Sequence, residues 1–107
     1  GAFETEALRQ VGLLDAQIPP RYYTIYFNHV GGGGYAAGYY SYLWTEVLAD
    51  NIADVFTKRG ALAPETGQDF RDNILSRGNK GDLMQMFTDF TGMKSPDASS
   101  LLRARGL

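Results

Sequence analysis

Apolar positions along this chain recur mostly at helical spacing, and glycine or proline interrupts them. Phe3, Ala7, Leu8 and Val11 share one face of a first helix, which Gly12 stops. The stretch after it, ending in Pro19-Pro20, reads as a linker or turn. Arg21 to Val30 carries Tyr22, Tyr23, Ile25, Tyr26 and Phe27, and is too short for periodicity to separate a short strand from an extended aromatic segment. Gly31 to Gly34 are expected to form a loop, because ordering four glycines in regular structure is entropically costly. A long helix is predicted from Ala36 to Arg59, with Gly60 as its stop. Pro64 suits the first turn of the next helix, in which Phe70 and Ile74 lie one above the other before Gly78 ends it. Asp82 is placed to cap a third helix. Its Leu83, Met86, Phe87 and Phe90 follow the i, i+3, i+4, i+7 rule, and Gly92 closes it. Ser95-Pro96 reads as the N-cap and first residue of a short last helix running through Leu101 and Leu102. The expected fold class is all-α, a single domain over 1–107, with one glycine-rich loop and at most one short strand.

The long helix adds a second pattern. Extended back to Tyr35, at about 100° per residue, it projects Tyr35, Tyr39 and Tyr42 within roughly 60° of one another, with Glu46 on the same line. Tyr40, Trp44, Leu48 and Val55 fall opposite, flanked by Leu43, Val47 and Ile52, as the expected core stripe. A row of phenols away from the core has two readings. The rings pack against another element and satisfy their hydroxyls locally, or they form a cleft wall whose phenols donate to peptide carbonyls. On the second reading the neighbouring glycines let the main chain approach a ligand closely or move as a lid.

His29, the only histidine, stands just before the glycines and is able to donate a hydrogen bond to a carbonyl or developing oxyanion. It does not make a metal site by itself, since catalytic zinc takes three protein ligands, and no H-E-x-x-H string occurs in the chain. Metal-binding residues are therefore not expected here. The glycine run lacks the Gly-Lys-Ser/Thr ending of a phosphate loop, and the helical elements downstream exclude a βαβ dinucleotide frame. Asp69 with Asp72, and Glu4 with Glu6, read as solvated helix faces.

Composition removes further classes. With 107 residues the chain can bury a modest core. Apolar residues at 44% and charged residues at 21% are ordinary for a soluble globular protein. Ten basic against twelve acidic side chains give a net charge of −2 with no Lys/Arg cluster, which leaves a nucleic-acid surface without electrostatic support. Cysteine is absent, so disulfides, thiol catalysis and thiolate-bound zinc drop out, and a cytoplasmic location is the expectation. No apolar run is long enough to span a bilayer, and no membrane partner is expected. Opening at Gly1-Ala2-Phe3 without a methionine, the chain is expected to be a fragment of a longer protein.

The stretch YFNHVGGGGYAAGYYSYLW, from Tyr26 to Trp44, resembles the signature of thimet-oligopeptidase-type zinc peptidases. Similarity extends over Phe3-Glu4-Thr5-Glu6-Ala7-Leu8, Gly67-Gln68-Asp69-Phe70-Arg71, Ile74-Leu75-Ser76-Arg77-Gly78 and Arg103-Ala104-Arg105-Gly106-Leu107, essentially the whole chain. The Tyr-Phe-Asn-His lead-in and the spacing from His29 to Tyr35 are most similar to the bacterial peptidyl-dipeptidase (dipeptidyl carboxypeptidase) branch. One departure is Gly31, where that family carries a bulkier apolar or aromatic residue.

The resemblance implies an all-helical, two-lobed enzyme whose deep channel admits short peptides, with the chain as its C-terminal part. An H-E-x-x-H helix and a further glutamate, all outside this chain, would bind zinc and activate water. His29 and Tyr42 match the positions that hydrogen-bond the scissile carbonyl and the tetrahedral intermediate. Tyr35 and Tyr39 match positions that flank the substrate, on a flexible mount formed by Gly32, Gly33 and Gly34. The implied partners are short peptides and the rest of the catalytic domain. The isolated chain is expected to bind no zinc, to cleave nothing, and to self-associate through surface left without its partner. Alternatives are a stand-alone helical peptide-binding module and a structural helical domain whose tyrosines are core. An in-frame H-E-x-x-H upstream discriminates against the first alternative, and a cleft or bound peptide at His29 against the second.

Overall fold

The computed structural model describes all 107 residues, Gly1–Leu107. They form six α-helices, one 3₁₀ turn and one π turn, with no strand, so the fold is all-α as the sequence implied. The chain divides into two compact units, Gly1–Ser41 and Tyr42–Leu107.

In the first unit, α1 (Ala2–Gln10) ends where Gly12 takes φ +72° and the Leu13 N–H bonds back to the Leu8 carbonyl at 2.9 Å. The Glu4 carboxylate accepts from the Thr24 N–H at 3.0 Å, which ties α1 to the aromatic segment. That segment forms no strand, and only its start, at Tyr23, is extended. A 3₁₀ turn covers Thr24–Tyr26, and a single helical turn, α2, covers Asn28–Gly31. No second strand exists to pair with it, whereas curling brings rings four or five residues apart into contact. Tyr22 meets Tyr26 edge-on at 6.2 Å and stacks with Phe27 at 6.3 Å. Gly31 accordingly ends a helical turn instead of opening the loop. No residue of this unit is buried, as expected of about 40 residues without a core of their own.

The long helix α3 (Ser41–Arg59) begins five residues later than the sequence implied. Residues 36–40 make successive tight turns, with the Gly38 N–H on the Tyr35 carbonyl at 3.1 Å and the Ser41 N–H on the Gly38 carbonyl at 3.0 Å. Gly38 lies inside the expected first turns, where glycine disfavours a helix by roughly 0.5–1 kcal/mol relative to alanine. Tyr35 and Tyr39 therefore do not share a helical face with Tyr42.

The second unit holds the core. α4 (Pro64–Phe70) starts on a proline and runs on as a π turn over Arg71–Leu75. α5 (Leu83–Thr91) is capped by Asp82, which accepts from the Gln85 N–H at 2.8 Å, and it stops at Gly92. Phe90 is fully buried against Phe70 at 5.3 Å and Phe56 at 6.0 Å, joining α3, α4 and α5 through one aromatic cluster. Its burial stabilises by about 1.5–3 kcal/mol. Arg59 covers this cluster, with its guanidinium 5.4 Å from the Phe90 ring centroid and in an ion pair with Asp69 at 2.6 Å.

The buried row of α3 is Val47, Asn51 and Val55. Of the expected stripe only Val55 is buried, Leu48 is half-buried, and Tyr40 and Trp44 are 73% and 47% exposed. The cause is a polar clasp. The Asn51 side chain donates to the Asp97 carbonyl at 2.7 Å and accepts from the Asp97 N–H at 2.9 Å, and this lays the segment before the last helix along that row. The same clasp moves the start of the last helix. α6 (Ser99–Ala104) does not begin at Ser95-Pro96 but follows Asp97, whose carboxylate accepts from the Ser99 N–H at 2.9 Å and its hydroxyl at 2.6 Å.

Candidate functional site

The sequence-derived site residues fall in two places. His29, Tyr35, Tyr39 and Gly32 to Gly34 belong to the first unit, whereas Tyr42 stands in the first turn of α3 in the second. Within the first unit the fold brings His29, Tyr35 and Tyr39 together. The imidazole centroid is 6.0 Å from each of the two phenol rings. This proximity comes from the turns and not from a helical stripe.

Local backbone bonds build the cluster. The His29 carbonyl accepts from the Tyr35 N–H at 3.3 Å, closing the glycine loop on itself. Such closure needs glycine at Gly33, where an added Cβ would lie 3.1 Å from the His29 carbonyl oxygen and 3.2 Å from its Cα. It also needs Gly34, whose φ of +79° lies in the left-handed region. Gly31, by contrast, has open space around a would-be Cβ, so a bulkier side chain is accommodated there.

Phe27 is a member of the cluster that the sequence reading gave no role. Its ring meets Tyr39 edge-on at 4.7 Å, lies 6.5 Å from His29 and stacks on Tyr22, so one half-buried ring backs two candidate residues. The available signal was its place two residues before His29 in an aromatic-rich string.

The cluster gathers an imidazole and two phenols beside the glycine loop. No group of three or more His, Cys, Asp or Glu side chains is arranged to hold an ion. Glu46 continues the line from Tyr42 along α3, and its carboxylate accepts hydrogen bonds from a guanidinium nitrogen of Arg105. No helix is long and apolar enough to cross a membrane.

Comparison with known proteins matches the sequence to one group. The profile of peptidase family M3 fits residues 3–107. The dipeptidyl carboxypeptidases of Salmonella typhimurium and Escherichia coli are each 48% identical over 105 residues, which is 98% of this chain and 15% of theirs. Oligopeptidase A of Escherichia coli is 41% identical over 110 residues, 100% of this chain and 16% of its own. The chain thus spans about one-seventh of the length of these relatives. On a match that takes in nearly every residue, the chain belongs to peptidase family M3.

Proposed function

We propose that this chain is the C-terminal part of the catalytic domain of a zinc-dependent peptidyl-dipeptidase, where it supplies the substrate-binding wall. His29 and Tyr42 donate hydrogen bonds to the scissile carbonyl oxygen as negative charge develops on it. Tyr35 and Tyr39 flank the extended substrate, and Gly32 to Gly34 carry them. The observation that supports this reading is the grouping of His29, Tyr35 and Tyr39 on a loop closed by glycine contacts. The 48% identity to two proteins named dipeptidyl carboxypeptidase supports the peptidyl-dipeptidase reading.

A donor aimed at charge that exists only in the transition state acts on turnover more than on ground-state binding. Removal of the Tyr42 hydroxyl therefore tests the reading. In the intact peptidase Tyr42→Phe is expected to lower kcat about 10²-fold with little change in KM. A kcat within about threefold of the parent, with a raised KM, would make Tyr42 a binding residue and defeat the assignment. Zinc belongs to the part of the enzyme outside this chain, because one histidine and scattered carboxylates do not provide a ligand set. Dialysed chain should retain no stoichiometric zinc and cleave no fluorogenic peptide; tight one-to-one zinc with activity that survives repurification contradicts this.

A further inference from the structure

Glu46 and the arginines near Leu107 remain unused by the site described so far, yet they meet. One terminal nitrogen of Arg105 lies between both Glu46 oxygens, at 2.8 and 2.7 Å. Tyr42, Glu46 and Asp50 follow one another at i, i+4 and i+8, on one line of α3. Asp50 adds to the same charge cluster. Its buried Oδ2 has no hydrogen-bond partner, and its charge acts on Arg105 beside that of Glu46.

The guanidinium is delivered from a fixed base. α6 is docked on α3 by the Asn51–Asp97 clasp and by Asp54, which accepts from the Ser100 hydroxyl at 2.7 Å and from Arg103. Leu101 is buried beneath it. Past the end of α6 the Gly106 N–H returns to the Arg103 carbonyl at 3.0 Å and the Leu107 N–H to the Leu102 carbonyl at 2.9 Å, so Arg105 lies in a wound turn and not a loose tail. On α3, by contrast, burial starts only at Val47, and no side chain from Tyr42 to Thr45 is buried. The first turn of a helix is also where fraying is easiest.

We propose that Arg105 is a positioning residue: by gripping Glu46 one turn beyond Tyr42, it holds the first turn of α3 and so sets the direction in which the Tyr42 phenol points. The proposal rests on the role given to Tyr42 above. It makes the Arg-Ala-Arg-Gly-Leu segment part of the working enzyme and not only part of its fold.

A double-mutant cycle in the intact peptidase tests it, with Arg105→Ala, Tyr42→Phe and the double variant measured well below their melting temperatures. Arg105→Ala is expected to lower kcat roughly fivefold to tenfold with KM within about twofold, since small misplacements of a catalytic group are costly. In the Tyr42→Phe background the same change should have no further effect. The exchanged pair Glu46→Arg with Arg105→Glu should recover most of the lost turnover. Arg105→Lys, which is milder for folding, should fall between parent and alanine. An unchanged kcat in Arg105→Ala, or an equal fractional loss with and without the Tyr42 hydroxyl, would overturn the proposal while leaving the role of Tyr42 standing. A Tyr42→Phe enzyme with normal kcat would remove that role and the proposal with it.

Discussion

Replacing Asn51 by alanine probes the clasp on which α6 depends. Its side chain is fully buried and makes two hydrogen bonds, donating to the Asp97 carbonyl at 2.7 Å and accepting from the Asp97 N–H at 2.9 Å. Each such bond contributes about 0.5–1.5 kcal/mol net. Asp97 itself is exposed, so water recovers its freed groups and the full penalty for orphaned buried atoms does not apply. Adding the small void left by the amide gives a loss of about 2–3 kcal/mol. At about 4–8 °C per kcal/mol for a domain of this size, Tm should fall by roughly 10–20 °C. Urea and thermal unfolding followed by circular dichroism measure the total, and amide exchange locates it. The α6 amides should lose protection before those of α5. Asn51→Asp keeps the acceptor but removes the donor and buries a charge, so it should destabilise at least as much. A loss below about 1 kcal/mol, or α6 exchange unchanged, would refute the clasp as the anchor.

Three further outcomes are expected. Hydrogen bonds from Ser100 and then Arg103 hold Asp54 below the ordinary aspartate pKa, and bonds from Ser99 do the same for Asp97. Because the folded values are depressed, this stability is complete above the unfolded value of about 3.9 and is lost as pH falls below it. Thermal melts should therefore show α6 destabilised from about pH 4 downward, and Asp54→Asn should flatten that dependence; identical profiles for both proteins would contradict it. Gly33→Ala should lower kcat/KM of the intact peptidase about tenfold, because its Cβ presses on the His29 backbone, while Gly31→Ala should leave it within twofold. Equal effects of the two substitutions would remove the glycine loop from the site. Finally, the isolated chain exposes Tyr40, Leu43, Trp44, Ile25 and Leu62, and should self-associate with rising concentration. One monomer mass by light scattering from micromolar to millimolar concentration would count against this.

The fold was legible wherever one residue type settles the local geometry. Pro64 opened α4, Asp82 capped α5, and Gly12, Gly60 and Gly92 ended elements as their positions implied. What failed depended on contacts distant in sequence. Asn51 reads as an ordinary polar residue on a helix surface until Asp97, 46 positions away, is known to lie across it. That one contact moved both the buried face of α3 and the start of α6. The aromatic string from Tyr22 to Phe27 has strand-like composition, but composition does not reveal that a partner strand is missing. At the candidate site, motif similarity picked out His29, Tyr35, Tyr39 and Tyr42, whereas the helical wheel that grouped the tyrosines was geometrically wrong for two of them. Phe27 went unassigned because its contribution is made through ring contacts, which spacing does not encode.

The claim at the centre of this account is that His29 and Tyr42 act on the charged, tetrahedral form of the substrate. The direct measurement compares inhibition of the intact peptidase by a phosphinic peptide, which mimics that form, with inhibition by the corresponding dipeptide product, in the parent and in His29→Ala and Tyr42→Phe. The account predicts that each substitution weakens the phosphinic peptide about 10²-fold and the product by less than about threefold. Equal weakening of both ligands would show that the two residues bind peptide without discriminating the transition state, and would contradict the account.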